Sequence, residues 1–143
     1  MQKKYITKNF KETQKFGREF ARYLSSPRKR GSSALVLGLS GNLGGGKTTF
    51  LQGLAKGLGI KEKILSPTFV IMKRFKNFYH IDCYRLKNSK DILDLGWEQI
   101  ISNPKNIVAI EWPEKVKTLL PKDTILIKFK FINQDTREIN FKM

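Results

Sequence analysis

The sequence predicts an α/β protein, a sandwich built around a mixed and partly antiparallel central sheet. Early in the chain, a short apolar run at residues 34–39 leads through a glycine-rich segment into a pattern typical of a helix. Later, β-rich runs are separated by only two or four polar residues, as in hairpins. Because strands joined through helices are usually parallel and strands joined by tight turns are antiparallel, we expect both kinds of pairing.

The first half of the chain predicts two helices on either side of one strand. Apolar residues at near-helical spacing, with charged residues between them, indicate an amphipathic helix over residues 10–24. These apolar residues are Phe10, Phe16, Phe20 and Leu24. The uninterrupted apolar run at 34–39 is typical of a buried strand, and residues 48–58 carry their apolar side chains on one helical face.

The second half predicts a helix, a further buried strand and two hairpins. A helix is expected over residues 91–101, where Gly96 favours a break into two pieces. The apolar run 107–110 indicates a buried strand, and 113–120 a turn or short helix. Four β-rich runs are expected to pair as hairpins, residues 68–75 with 78–84 and residues 124–132 with 137–142.

The composition predicts one packed domain over residues 1–143, since 143 residues with 40% hydrophobic content suffice for one core. No apolar run is long enough for a membrane helix, and no secretory signal is visible, so we expect a soluble cytoplasmic protein without membrane contact. Cys83 is the single cysteine and His80 the single histidine, which excludes an intrachain disulfide and a zinc site made by these residues alone.

The formal charge of +16 is large for a chain of this size and would attract polyanions such as nucleic acids and nucleotides. The first 30 residues contain ten lysines and arginines against two acidic residues. Dispersed lysines are also typical of an ordinary solvated surface, and no basic run with interleaved aromatic residues is present. Whether the basic surface contacts RNA directly therefore stays open at this point.

Residues 41–48, Gly-Asn-Leu-Gly-Gly-Gly-Lys-Thr, match the phosphate-binding P-loop pattern G-x-x-x-x-G-K-[ST]. Glycines let successive backbone amides converge on phosphate oxygens, and the helix that follows directs its N-terminal dipole at the anion. The lysine would contact the β and γ phosphates, and the threonine hydroxyl would bind Mg²⁺. The residues expected to hold the nucleotide are Gly41, Asn42, Leu43, Gly44, Gly45, Gly46, Lys47, Thr48 and Thr49.

Two carboxylates follow β-like runs and are candidates for the chemistry of a P-loop site. Glu111 follows the run 107–110 and resembles a Walker B acid that holds Mg²⁺. Asp82 ends the run 78–81 and competes for this role or complements it. Thr68 follows a serine-proline pair in a loop where nucleotide-sensing residues often lie, although a plain turn explains it equally well.

Two further observations bear on the site. His80 is expected to be packed or hydrogen bonded rather than catalytic. The Asn-Lys-x-Asp segment by which many GTPases recognise guanine does not occur, which favours ATP over GTP.

Five motifs taken together resemble the bacterial TsaE family, also called YjeE, over nearly the whole chain and in the same order and spacing. They are GNLGGGKTT at 41–49, SPTF at 66–69, HIDCYRL at 80–86, Leu-Gly at 95–96 and IEWPE at 110–114. Asn42 stands where family members commonly carry aspartate, a change that leaves the loop amides and Lys47 in place.

The resemblance implies a P-loop ATPase that assists the synthesis of threonylcarbamoyladenosine in tRNA. In that family the transfer reaction belongs to a partner, TsaD, which works as a heterodimer with TsaB. A chain of this kind would bind the TsaD–TsaB pair, hydrolyse ATP weakly on its own, and reset the pair between catalytic cycles.

The resemblance also implies roles for individual residues. Thr48 and Glu111 would hold Mg²⁺, Asp82 would be needed for hydrolysis, and Thr68 would be a switch-like residue. Thr13 would lie near the nucleotide base, and Arg137 would belong to a C-terminal contact.

Two other functions remain as alternatives. One is a small P-loop nucleoside or nucleotide kinase, although seven arginines offer little for an arginine-rich lid. The other is a basic RNA-binding module with a weakly active P-loop, for which strong and salt-sensitive RNA binding would be the indication.

Overall fold

The computed structural model describes residues 2–25, 33–41, 46–64 and 71–142. These residues form a seven-stranded sheet with the strand order β1-β7-β6-β2-β5-β4-β3. The strands are β1 (Gln2–Thr7), β2 (Leu35–Ser40), β3 (Met72–Phe75), β4 (Phe78–Asp82), β5 (Ile107–Glu111), β6 (Ile125–Phe131) and β7 (Arg137–Lys142).

The sheet is mixed, which confirms the predicted fold class. Its centre is parallel, because β2 pairs in parallel with both β5 and β6, and β5 pairs in parallel with β4. Its two edges are antiparallel, since β3 pairs with β4 as a hairpin and β7 pairs with both β6 and β1. Strands β2, β4 and β5 are buried over most of their length because both faces of the sheet are covered there, whereas β6 alternates between buried and exposed residues.

Helices cover the two faces of the sheet and create two apolar cores. The helices are α1 (Phe10–Ser25), α2 (Lys47–Gly57), α3 (Lys90–Leu93) and α4 (Trp97–Ser102), with a 3-10 helix at Pro113–Leu119. Aromatic residues of α1 and α2, including Phe16, Phe20 and Phe50, pack on one face. Trp97 of α4 and Val116 of the 3-10 helix pack on the other.

Helices α1 and α2 touch through their backbones. A Cβ atom added to Gly53 of α2 would collide with the carbonyl oxygen of Gln14, and one added to Gly17 of α1 would collide with that of Phe50. Only glycine permits so close an approach at both positions. The packing of α1 therefore depends directly on the helix that follows the P-loop.

Most predicted elements occur in the structure, and one strand, β1, was not predicted. The break predicted at Gly96 in the helical region 91–101 is confirmed, since α3 ends at Leu93 and Gly96, with a φ of 88°, directly precedes α4. Strand β1 was not predicted, because five of its six residues are exposed and no apolar periodicity marks it. Residues 68–70 of the predicted hairpin lie outside the described part of the chain.

Candidate functional site

The candidate site lies at the carboxyl edge of the parallel strands, where β2, β4 and β5 end together. Asp82, the last residue of β4, is paired with Glu111, the last residue of β5. Glu111 is also in register with Leu39, two residues before Gly41. Ligands of open parallel sheets bind beyond this edge.

The described ends of the glycine-rich loop have backbone conformations that require glycine. Gly41 has a φ of 131°, and an added Cβ would collide with the carbonyl oxygen of Phe129. Gly46 has a φ of 100° and directly precedes α2. Asn42, Leu43, Gly44 and Gly45, predicted to bind the nucleotide, lie outside the described residues.

Lys47 is the first residue of α2, and it is buried between the loop and β5. Its side chain is only 5% exposed, and its Nζ donates a hydrogen bond of 2.8 Å to the carbonyl oxygen of Gly41. The same Nζ lies 4.4 Å from the centre of the Trp112 ring, a cation–π contact. Desolvation lowers the pKa of Lys47, and the negative charges of Glu111, Asp82 and Glu114 oppose that shift.

Glu111 is held by the single histidine of the chain. His80 Nε2 and Glu111 Oε2 are 2.7 Å apart, with the two residues 1% and 4% exposed. The other carboxylate oxygen, Oε1, makes no hydrogen bond within the part of the chain that the structure describes. The sequence predicted that His80 would be packed or hydrogen bonded, and it is both.

Asp82 lies beside Glu111 and is partly exposed. Its Oδ1 accepts a hydrogen bond of 2.9 Å from the backbone N–H of Tyr84. Desolvation raises the pKa of Asp82; the Tyr84 hydrogen bond opposes this shift, and the charge of Glu111 adds to it. The two predicted catalytic carboxylates thus act on each other electrostatically.

Thr48 and Thr49 lie in the first turn of α2 and are partly exposed, beside the buried Lys47. Oxygen donors such as the Thr48 hydroxyl and the Glu111 carboxylate suit Mg²⁺, which is usually bound by one or two protein carboxylates together with phosphates and water. No cluster of three or more His, Cys, Asp or Glu side chains suited to a metal ion occurs among the described residues. The Thr48 hydroxyl and the Glu111 carboxylate are of the ligand type that Mg²⁺ takes.

Thr13 and Arg137, which are far apart in sequence, meet at Gly46, the last glycine of the loop. A Cβ added to Gly46 would lie 3.6 Å from Thr13 Cγ2 and 3.5 Å from Arg137 Cγ. The buried Thr13 hydroxyl is 2.7 Å from that of Thr7 in β1, so the unpredicted edge strand positions it. Arg137 stacks on Phe131 and donates to the carbonyl oxygen of Asn133.

Trp112, which directly follows Glu111 in the sequence, is a further residue of the site. Its backbone is left-handed, with a φ of 59°, which is strained for a bulky side chain. The indole contacts Lys47 on one side and lies 5.2 Å from the ring of Tyr84 on the other. Lys115 then donates to the carbonyl oxygen of Tyr84. Thr68 lies outside the described residues.

A comparison with protein-family models matches residues 7–139 to "Threonylcarbamoyl adenosine biosynthesis protein TsaE". The chain belongs to the TsaE family. The match begins at Thr7 in β1 and ends at Ile139 in β7, so it includes every described residue of the site. The resemblance noted from the motifs is confirmed.

Individual TsaE proteins agree with this assignment. The chain is 35% identical over 137 residues to the tRNA threonylcarbamoyladenosine biosynthesis protein TsaE of Treponema pallidum, covering 94% of this chain and 96% of that protein. It is 38% identical over 110 residues to the TsaE protein of Bacillus subtilis, covering 74% and 68%. The crystal structure of Bacillus subtilis YdiB superposes with a TM-score of 0.74 at 31% identity, covering 99% of this chain and 84% of that one.

No helix in the described parts of this TsaE-family chain is both long and apolar enough to cross a bilayer.

Proposed function

We propose that this TsaE-family protein is an ATPase that supports the formation of threonylcarbamoyladenosine in tRNA by resetting a TsaD–TsaB pair between catalytic cycles. The observation that carries the proposal is the convergence of Lys47, Asp82 and Glu111 at one edge of the sheet, beside Gly41 and the N-terminus of α2. Family membership supports the biological context.

Nucleotide binding is assigned to the loop and to Lys47. Backbone amides at the N-terminus of α2 and the positive end of its dipole favour a phosphate group there. Lys47 is already placed over this edge, and it would exchange its hydrogen bond with Gly41 for phosphate oxygens. Thr13 and Arg137, which contact the Gly46 region, would limit the space available to the rest of the nucleotide.

Thr48 and Glu111 would hold Mg²⁺, which when bound neutralises charge on the β and γ phosphates. Asp82 is partly exposed next to Glu111, where its carboxylate would accept a hydrogen bond from the attacking water and orient it. Its raised pKa makes it a stronger base than an ordinary aspartate. Asp82 therefore serves hydrolysis, whereas Lys47 serves binding.

The partner in this proposal is the TsaD–TsaB heterodimer, and the active site is completed at the interface with it. Contact with tRNA is made through the pair, and the basic surface of this chain serves as a solvated surface. ATP hydrolysis then provides the free energy that returns the pair to its starting state.

The proposal is tested by reconstituting the pair with tRNA, a threonylcarbamoyl donor and ATP, with and without this chain. We expect repeated turnover of modified nucleoside only when this chain and ATP are both present, and inorganic phosphate as the released product. Lys47→Ala should abolish the stimulation of nucleoside modification by this chain. Lys56→Ala, a substitution of an exposed lysine on the same helix, should not. Unchanged turnover on adding the chain would refute the proposal, and transfer of the phosphoryl group to a nucleoside would identify a kinase instead.

A further inference from the structure

His80 contacts a candidate Mg²⁺ ligand, but its own side chain is too deeply buried to reach a nucleotide. Its Nε2 lies 2.7 Å from Glu111 Oε2, and the residue is 1% exposed. We infer that His80 is a positioning residue, which holds the Glu111 carboxylate through Oε2 and so presents Oε1 to the magnesium–nucleotide complex. This inference rests on the proposed function of the site.

The register of the sheet explains why His80 reaches Glu111. His80 lies two residues before Asp82 on β4, so both side chains emerge on the same face of the sheet. Opposite His80 on the parallel strand β5 is Ala109, and Glu111 follows two residues later. The His80 and Glu111 side chains therefore lie on the same face of the sheet, on adjacent strands, within hydrogen-bond distance.

The contact also satisfies a physical requirement of the buried carboxylate. Glu111 is only 4% exposed, and a buried carboxylate needs hydrogen-bond donors to replace water. An ionised carboxylate only accepts, so the proton in the contact belongs to His80 Nε2. The hydrogen bond from His80 Nε2 holds one oxygen of Glu111 and so sets the rotation of the whole carboxylate. Residues that hydrogen-bond to a metal ligand usually orient it in this way.

The other ring nitrogen indicates that Glu111 is the main polar target of His80. Nδ1 is buried and lacks a hydrogen-bond partner among the described residues. Within that part of the chain, the imidazole therefore tethers no other polar group. If the main role of the imidazole were to connect two secondary-structure elements, a hydrogen-bond partner at Nδ1 would also be expected.

Two substitutions of His80 by amide residues test whether the residue orients the Glu111 carboxylate or only fills space in the core. In His80→Gln the side-chain amide nitrogen extends to about the place of Nε2 and can still donate to Glu111. In His80→Asn the amide ends near the place of Nδ1 and falls short. Phe78→Leu, a buried change on the same strand and the same face, serves as a control for general loosening of β4.

The readout is the affinity for a fluorescent ATP analogue, measured over a Mg²⁺ titration and separately in EDTA. We expect His80→Asn to raise the Mg²⁺ concentration for half-saturation by about 10-fold or more, because loss of a group behind a metal ligand costs about 10–100-fold in metal affinity. His80→Gln and Phe78→Leu should stay within about threefold of the wild type by the same scale. Affinity in EDTA should be the same in all four proteins.

Further outcomes decide the inference. Wild-type Mg²⁺ dependence in His80→Asn would overturn it, and so would equal losses in His80→Asn, His80→Gln and Phe78→Leu. In a Glu111→Gln background, His80→Asn should add no further effect, since the two residues act as one unit. If His80→Asn does not fold, His80→Gln decides alone, and a 10-fold or larger loss of Mg²⁺ affinity in it would overturn the inference. Absence of any Mg²⁺ effect in the wild type would instead refute the proposed magnesium–nucleotide site itself.

Discussion

The ammonium group of Lys47 lies over the indole ring of Trp112, 4.4 Å from its centre. A cation held against a ring is stabilised by about 0.5–2 kcal/mol, an interaction that a bound phosphate would compete with. The lysine that the P-loop assigns to phosphate is thus engaged by an aromatic side chain directly after the proposed Mg²⁺ ligand. Nucleotide binding should therefore change the surroundings of Trp112.

This relationship predicts a fluorescence signal. ATP should alter the tryptophan emission of the wild type and of Trp97→Phe, because Trp112 contacts Lys47, whereas Trp97 is buried and its Nε1 donates to the carbonyl oxygen of Leu119. Trp112→Phe should lose the ATP-dependent change while still binding the nucleotide. A response that survives in Trp112→Phe and disappears in Trp97→Phe would contradict the assignment.

Asp82→Asn should separate binding from hydrolysis. The asparagine Oδ1 can still accept the hydrogen bond from the Tyr84 N–H, so the local turn is preserved. Loss of the carboxylate should lower the rate of ATP hydrolysis by about 100-fold or more, with ATP affinity within a few-fold of the wild type. Isothermal titration and phosphate release measure the two quantities, and a matching loss of affinity would contradict the division of roles.

The same variant should be more stable than the wild type at neutral pH. Desolvation raises the pKa of Asp82 in the folded protein, so the unfolded state ionises first as the pH rises. As the pH rises from the ordinary aspartate pKa to the raised pKa of Asp82, the free energy of unfolding of the wild type falls. Asp82→Asn has no such ionisation and keeps its stability over this interval. In thermal unfolding, Asp82→Asn should have a higher Tm than the wild type at pH 7, and this difference should shrink as the pH falls below the ordinary aspartate pKa. A difference in Tm that grows at low pH would contradict the prediction.

Gly53→Ala should destabilise the protein although alanine favours helices. The added methyl group would meet the carbonyl oxygen of Gln14 in α1, and overpacking of this kind costs about 1–3 kcal/mol. Gly59→Ala is a matched comparison, since nothing lies within 4 Å of the added methyl and only its φ of 83° opposes it. That change should cost about 1 kcal/mol. Urea denaturation measures both, and a larger loss in Gly59→Ala would be inconsistent with the close helix contact.

Cys83 should be unreactive in the folded protein. Its burial, reinforced by the charge of Asp82, raises the pKa of the thiol to about 12, and the thiolate is the reactive form. A thiol reagent at pH 8 should label the native chain at least about 100-fold more slowly than the chain unfolded in guanidinium. Rapid labelling of native protein would show that the end of β4 opens readily. Cys83 is the single cysteine, so the signal has one source.

The sequence predicted those elements whose pattern is local. The apolar run before the P-loop, the aromatic spacing of α1 and the hairpin formed by β6 and β7 each lie within short stretches of chain. Strand β1 could not be found in this way, because it is specified by pairing with β7 at the other end of the sequence. Its one buried residue, Thr7, gives no periodic signal.

The site was predictable in its residue types but not in its contacts. Glycines, Lys47 and two carboxylates after apolar runs indicated phosphate and metal chemistry. The contact between His80 and Glu111 depends on the parallel register of β4 and β5, which no local pattern specifies. The position of Trp112 over Lys47 depends on a left-handed backbone that is unusual for tryptophan. Both were therefore seen only in three dimensions.

The backbone contact between α1 and α2 has a mechanical consequence. With glycine at the crossing points, the two backbones meet directly, and the side-chain amide of Gln14 in α1 donates a hydrogen bond to that of Gln52 in α2. If α2 moves when its N-terminus takes up a phosphate, α1 must move as part of the same rigid body. The position of the outer surface of α1 would then depend on whether nucleotide is bound.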